Sequence, residues 1–195
     1  MLLPDSGRVS VEGFHTSSSG TAVLRRVGFL IASERSFYPR LTVCENLEFF
    51  AAFDEVHRSG RKLRIDALLD QVGLCKHRNK LAMQLSAGMY QKLAIARVLL
   101  KHPSVILLDE PTRSLDREAT EQFWEAIRSL QGSGVTLVVA THNFEEAAVL
   151  GNSIAILKEG KIVDHRPVTN IRQLQSIYGL TISDQIGVTE LEALA

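Results

Sequence analysis

Two adjacent carboxylates, Asp109 and Glu110, close an unbroken apolar run, Val105-Ile106-Leu107-Leu108. Acids paired in this way fit metal-assisted chemistry, the first holding a cation such as Mg2+ and the second polarising a water. A strand that simply ends in a polar turn has the same pattern. Upstream, Ser86-Ala87-Gly88 leads into a run of helical character from Tyr90 to Leu100. A helix start offers N–H groups that lack intrahelical partners, and a serine hydroxyl beside them completes an anion site. Ser86 reads equally as an ordinary N-cap. Downstream, Ser114-Leu115-Asp116 forms a second turn, and His142 follows the apolar stretch Val135 to Ala140. A lone histidine is usually unremarkable, but this one ends a strand where open α/β sheets bind ligands.

These residues need a scaffold. Val105 to Leu108 shows no alternation, the pattern of a strand buried on both faces in a parallel sheet covered by helices. Val27 to Ile31 and Val135 to Ala140 read as further strands, and Leu93, Ala94, Ala96, Arg97, Val98 and Leu100 lie around a helix. Near the start, Pro4 to Gly7 is turn chemistry and Val9 to Val11 a short strand, and the Ser17 to Gly20 stretch is a loop. Thr42-Val43-Cys44-Glu45 is a capping box opening a helix with Leu47, Phe50 and Ala51 on one face. Gly60 interrupts it, and Leu63, Ala67 and Leu68 then repeat a helical period up to Gly73. Phe49, Phe50 and Phe53 are read as core, with contact to a partner as the alternative. Ala119, Phe123, Ile127 and Leu130 mark a helix ending near Gly132 and Gly134, and Glu145 to Ala148 begins another. Ile154 to Leu157, Gly160 and Ile162-Val163 read as a hairpin, and the residues from Thr169 are amphipathic without a motif.

In order and spacing, Leu85 to Met89, Val105 to Asp109, Ser114 to Asp116 and His142 resemble four motifs of the nucleotide-binding subunit of ABC transporters: signature, Walker B, D-loop and switch histidine. The resemblance covers most of the chain. It implies an α/β fold of the P-loop NTPase-like ABC ATPase type, a mostly parallel sheet flanked by helices with an inserted helical subdomain. Residues 1–42 would be the remnant of the N-terminal part of the core, 43–85 the helical subdomain, 86–167 the signature helix, Walker B, D-loop and histidine segment, and 168–195 a tail. It implies ATP and Mg2+ as cofactors. Asp109 would hold the metal, and Glu110 and His142 would be catalytic. Ser86, Ala87, Gly88, Asp116 and Ser33 would line the nucleotide. Implied partners are a transmembrane permease subunit and a second ATP-binding subunit, closed head to tail over two ATP molecules. The location would be peripheral, on the cytoplasmic face of the membrane, held there through the permease.

The sequence departs from the family pattern. Ala87 stands for a glycine and Met89 for a glutamine; Ala87 therefore needs a negative φ. The Q-loop glutamine has no counterpart, Ser33 falling at its place beside Glu34, and Glu34 to Tyr38 resembles the variant of some ABC-2-type exporters. No Gly-x-x-x-x-Gly-Lys-Ser/Thr occurs: Gly160-Lys161 is followed by Ile162 and preceded by Ala155 in place of the first glycine. A P-loop needs that pattern so that backbone N–H groups wrap the phosphates and the lysine neutralises them. The expectation is a fragment of an ABC ATPase whose first strands and P-loop are missing, inactive alone and prone to aggregate. The alternatives are a regulatory subunit that lends its signature to an intact partner, and an ABC ATPase outside transport.

Composition narrows the field. At 195 residues one domain is the default, and a hydrophobic fraction of 45% suffices for a core. The formal net charge is zero, from 22 basic and 22 acidic residues, so no footprint for nucleic acid appears. Cys44 and Cys75 give no disulfide framework or metal site. No run approaches membrane-spanning length and no signal-peptide pattern opens the sequence.

Overall fold

The computed structural model describes residues 4–31, 36–132 and 134–167. The chain divides into two compact units, Met1–Ala140 and Thr141–Ala195. The first is built on a parallel three-stranded sheet of β3 (Val27–Ile31), β4 (Val105–Asp109) and β5 (Thr136–Ala140), in the order β3-β4-β5. Its register sets Phe29, Leu107 and Val138 in one row and, two residues on, Ile31, Asp109 and Ala140 in another. Ahead of it, β1 (Ser10–Val11) and β2 (Phe14–His15) form a small hairpin. Helix α1 (Gly20–Arg26) follows, beginning where the sequence suggested only a loop.

The sheet is covered unequally. Gly28, Leu30, Ile106 and Leu108 are buried on one face. Helix α4 (Ala87–Leu99) presses on it so closely that a Cβ at Gly28 would lie 2.3 Å from Val98 Cγ1. On the other face Phe29, Ile31 and Val138 are 46, 41 and 51% exposed. The expectation that Val105–Leu108 is buried on both faces is therefore overturned: Ile106 and Leu108 are buried, whereas Val105 and Leu107 are only half-covered. The stretch Val135–Ala140 is corrected likewise. It begins as a strand at Thr136, and its exposure alternates because it lies at the edge of the described sheet.

Residues 43–85 contain only helices and their connections. Helix α2 (Val43–Phe53) opens with the anticipated capping box, in which Thr42 and Glu45 exchange hydrogen bonds. Its buried stripe of Val43, Asn46, Leu47, Phe50 and Ala51 follows a helical period. Phe50 is core, but Phe49 and Phe53 are exposed, so the core reading holds for one of the three. Helix α3 (Arg58–Gln71) begins after a turn in which Glu55 takes a positive φ of 58°. Gly60 thus lies inside α3 rather than interrupting anything. The buried face of α3 is Ile65, Leu68 and Leu69, one step round from the expected stripe, leaving Leu63 (76% exposed) and Ala67 outward. Gly73, with φ 70°, ends the helical run as anticipated. Short 3-10 turns at Cys75–His77 and Ala82–Gln84 lead back to the core. There Leu81 pairs with Thr42, and Val43 donates to the Lys80 carbonyl (2.9 Å), so both ends of the helical insertion are tied together.

Helix α5 (Arg117–Gln131) buries Phe123, Ile127 and Leu130 and stops at Gly132, as its sequence period indicated. The second unit contains helix α6 (Phe144–Leu150), capped by Asn143, and the antiparallel pair β6 (Ser153–Lys158) and β7 (Lys161–Pro167). Glu159 and Gly160, both with positive φ, make the tight turn between them, as in a two-residue hairpin of the mirror-image kind. The stretch from Thr169, read as amphipathic, lies outside the described residues.

Candidate functional site

Asp109 is the last residue of β4 and is exposed. The chain then turns sharply. Glu110 adopts φ 45°, a left-handed conformation that a side chain with a Cβ takes at a cost of about 1–3 kcal/mol. Hydrogen bonds on both sides hold it there. The Glu110 N–H donates to the Ala140 carbonyl on β5 (2.9 Å), and its own carbonyl accepts from the Arg113 N–H (3.1 Å). Pro111 and Thr112 are buried beneath the turn, and Gln91 Nε2 of α4 donates to the Pro111 carbonyl at 2.6 Å.

The start of α4 forms the second part. Ser86 is its N-cap, exposed, with Oγ accepting from the Met89 N–H at 3.3 Å. The capping role proposed from sequence is thus real, and the hydroxyl remains at a surface where a phosphate oxygen can approach. Ala87 has the ordinary negative φ of a first helical residue, so replacing a glycine there strains nothing. Gly88 has a packing reason of its own: a Cβ would fall 2.9 Å from Ala119 Cβ in the first turn of α5. That turn is capped by Asp116, whose Oδ1 accepts from the Ala119 N–H at 2.8 Å. The first turns of α4 and α5 therefore meet, and Lys92 Nζ donating to Gln122 Oε1 (2.8 Å) extends the contact.

Four helical side chains grip the segment after β3. Asn46, fully buried, accepts from the Tyr38 N–H (2.8 Å) and donates to the carbonyls of Tyr38, Leu41 and Thr42. The Phe37 N–H donates to the Tyr90 hydroxyl (3.3 Å), and Phe37 packs edge-on against Tyr90 and Phe50. Arg97 donates to Ser36 Oγ and lies over the Phe50 ring. Ser33 and Glu34 lie outside the described residues. His142 belongs to the second unit, exposed, one residue before the α6 cap, where the Asn143 N–H donates to Thr141 Oγ1 (3.0 Å).

Of the residues assigned to the site from sequence, Asp109, Glu110, Ser86, Ala87, Gly88 and Asp116 fall in the first unit. Sequence reasoning missed Gln91, Asn46, Tyr90 and Arg97. Buried polar side chains inside helices are not distinguished by type or spacing from exposed ones.

A metal ion and a nucleotide fit what is present in part. Among the described residues no cluster of three or more His, Cys, Asp or Glu could hold a metal ion alone. A single exposed carboxylate suits Mg2+, which keeps waters and shares phosphate oxygens rather than filling an all-protein cage. The α4 start suits a phosphate. No helix among the described residues is long and apolar enough to cross a membrane.

The fold itself is shared with a solved structure titled cbiO1 from Clostridium perfringens, part of the ABC transporter complex cbiONQ. It matches with a TM-score of 0.79 at 21% identity, covering 95% of this chain and 75% of that one. The family model for ABC transporters matches residues 1–113. The chain belongs to the ABC transporter ATP-binding family. The ABC transporter ATP-binding protein NatA of Bacillus subtilis (strain 168) is 34% identical over 163 residues, 84% of this chain and 66% of that protein. The bacitracin transport ATP-binding protein BcrA of Bacillus licheniformis is 32% identical over 187 residues, 95% of this chain and 60% of that protein. The chain thus spans a little under two thirds of these curated relatives.

Proposed function

We propose that this chain is the ATP-binding subunit of an ABC transporter, coupling ATP binding and hydrolysis to movement of a substrate across a membrane, in the direction of export. The observation that carries it is the joining, in one unit, of Asp109 and Glu110 with the Ser86-capped α4 and the Asp116-capped α5. Asp109 would hold Mg2+, which supplies Lewis-acid withdrawal of phosphate charge. Glu110 would orient the attacking water and take its proton. Ser86 and the N–H groups behind it, with Ala87 and Gly88, would receive the terminal phosphate of a nucleotide held by a second ATP-binding subunit. Asp116 would stand beside that contact; the family likeness gives Ser33 a nucleotide contact and His142 a catalytic role. Export rests on the likeness of Glu34 to Tyr38 to ABC-2-type exporters. A permease subunit would dock where Tyr38, Phe49 and Phe53 are exposed, stacked edge-on about the Phe50 ring in the case of Phe49. The chain would then lie peripherally on the cytoplasmic face.

A complete site also needs a phosphate cradle, and these 195 residues contain no Gly-x-x-x-x-Gly-Lys-Ser/Thr. A second reading is that the chain lends its signature turn to an intact subunit without hydrolysing ATP itself. Hydrolysis by the membrane complex isolated through this chain, with and without Glu110→Gln, separates the two. A fall of about 10²-fold or more places Glu110 in catalysis. An unchanged rate removes it and leaves the lending role.

A further inference from the structure

The Glu110 turn poses a mechanical problem. Its left-handed backbone is strained, and a strained turn persists only where its surroundings over-determine it. The hydrogen bond to Ala140 fixes the amide side. On the other side, the buried Gln91 amide holds the next carbonyl, that of Pro111, at 2.6 Å. We propose that Gln91 is a positioning residue: its Nε2–H···O bond to Pro111 fixes the left-handed Glu110 backbone and so aims the Glu110 carboxylate for proton transfer.

Three features support this over simple core packing. Gln91 is the one buried polar side chain of α4. An apolar residue of similar length would fill the same space but leave the Pro111 carbonyl without that donor, at the desolvation cost of a buried acceptor. And Pro111 has no N–H, so its carbonyl is the one backbone hydrogen-bonding group by which Pro111 itself can be held. Gln91 also sits about one and a half turns beyond Ser86. Gln91 thus joins the helix that starts at Ser86 to the turn that carries Glu110.

The inference rests on the reading of Glu110 as the residue that activates water. The test is Gln91→Met, which keeps length and removes the donor, set beside Gln91→His, whose Nε2–H reaches a similar distance. Amide exchange is measured at Glu110, Arg113 and Leu115, and ATP hydrolysis in the membrane complex. Gln91→Met is expected to speed exchange at Glu110 and Arg113 by about tenfold or more, while Leu107 and Leu108 of β4 keep their protection. It is also expected to lower kcat about tenfold with KM for ATP unchanged, and Gln91→His restores most of both. Unchanged exchange at Glu110 and Arg113, or equal protection loss throughout β4, overturns the proposal. So does an unchanged kcat in Gln91→Met where Glu110→Gln abolishes hydrolysis. If Glu110→Gln is itself silent, the reading of Glu110 fails first and the positioning claim falls with it. Should Gln91→Met not fold, Gln91→Leu, which also removes the donor, carries the test, and a full kcat in that variant overturns the proposal.

Discussion

The two faces of the β3-β4-β5 sheet are made of the same kinds of residue and meet different fates. On one face Leu30, Ile106 and Leu108 are 2–3% exposed, and α4 comes within a methyl group of Gly28. On the other, Phe29, Ile31 and Val138 are among the most exposed large apolar side chains of the first unit's sheet. Asp109 lies in the register row of Ile31 and Ala140, on the open side. The lesson is that an apolar run reports what a strand is suited to touch, not what touches it within a given stretch of chain. Asp109, proposed above to hold the metal, sits beside the face that the described residues leave uncovered.

The contrast can be tested by substitution, read from urea unfolding at low protein concentration. Leu108→Ala on the packed face is expected to cost about 2–5 kcal/mol, because the cavity cannot collapse under α4. Equal costs for Leu108→Ala and Val138→Ala would erase the contrast. Gly28→Val comes next, at about 1–3 kcal/mol or more, since its Cβ alone would meet Val98 Cγ1 at 2.3 Å. Away from the sheet, Thr42→Ala should cost about 1 kcal/mol by removing the α2 cap. The same cap carries a pH signature. Hydrogen bonds from the Thr42 N–H first, and its hydroxyl second, hold the Glu45 carboxyl below the usual glutamate range. A group with a depressed folded pKa stabilises above its unfolded value and loses that contribution as pH falls through the folded one. The destabilisation caused by Glu45→Gln should therefore be present at neutral pH and vanish in acid, in unfolding measured across that window. The smallest effect is expected on the open face. Phe29→Ser should change stability by roughly 0.5–1 kcal/mol while raising the soluble fraction of the isolated chain, as sedimentation would show. A sharp, cooperative, reversible melt of the unmodified chain would contradict the exposed-face account.

Where the candidate-site residues fall was legible because they sit at element ends. Ser86 and Asp116 are caps, and cap residues announce helix starts; Asp109 and Glu110 end a strand, and an apolar run announces that. The Thr42 box and the Glu159-Gly160 turn were legible for the same reason. What was not legible depends on long-range packing. The stripe of α3 was read one step off, because Leu63 and Ala67 have the right type but face outward while Ile65 and Leu69 face in. Helix α1 was missed because its seven residues carry too short a period to read. Gly88 was read for phosphate approach, whereas its contact with Ala119 comes from two helices distant in sequence. Gln91 belongs to the same class: nothing local marks the carbonyl it reaches, 20 residues away.

The most direct test of the central claim, that the α4 start receives a phosphate, is ATP binding and hydrolysis by the membrane complex carrying Ser86→Asp. Aspartate caps a helix as well as serine does, so α4 keeps its start and its stability. Its charge, however, faces the place assigned to the phosphate. The account predicts that hydrolysis falls about tenfold or more, with weakened ATP affinity and unchanged unfolding. Hydrolysis and affinity equal to those of the unmodified complex would contradict it.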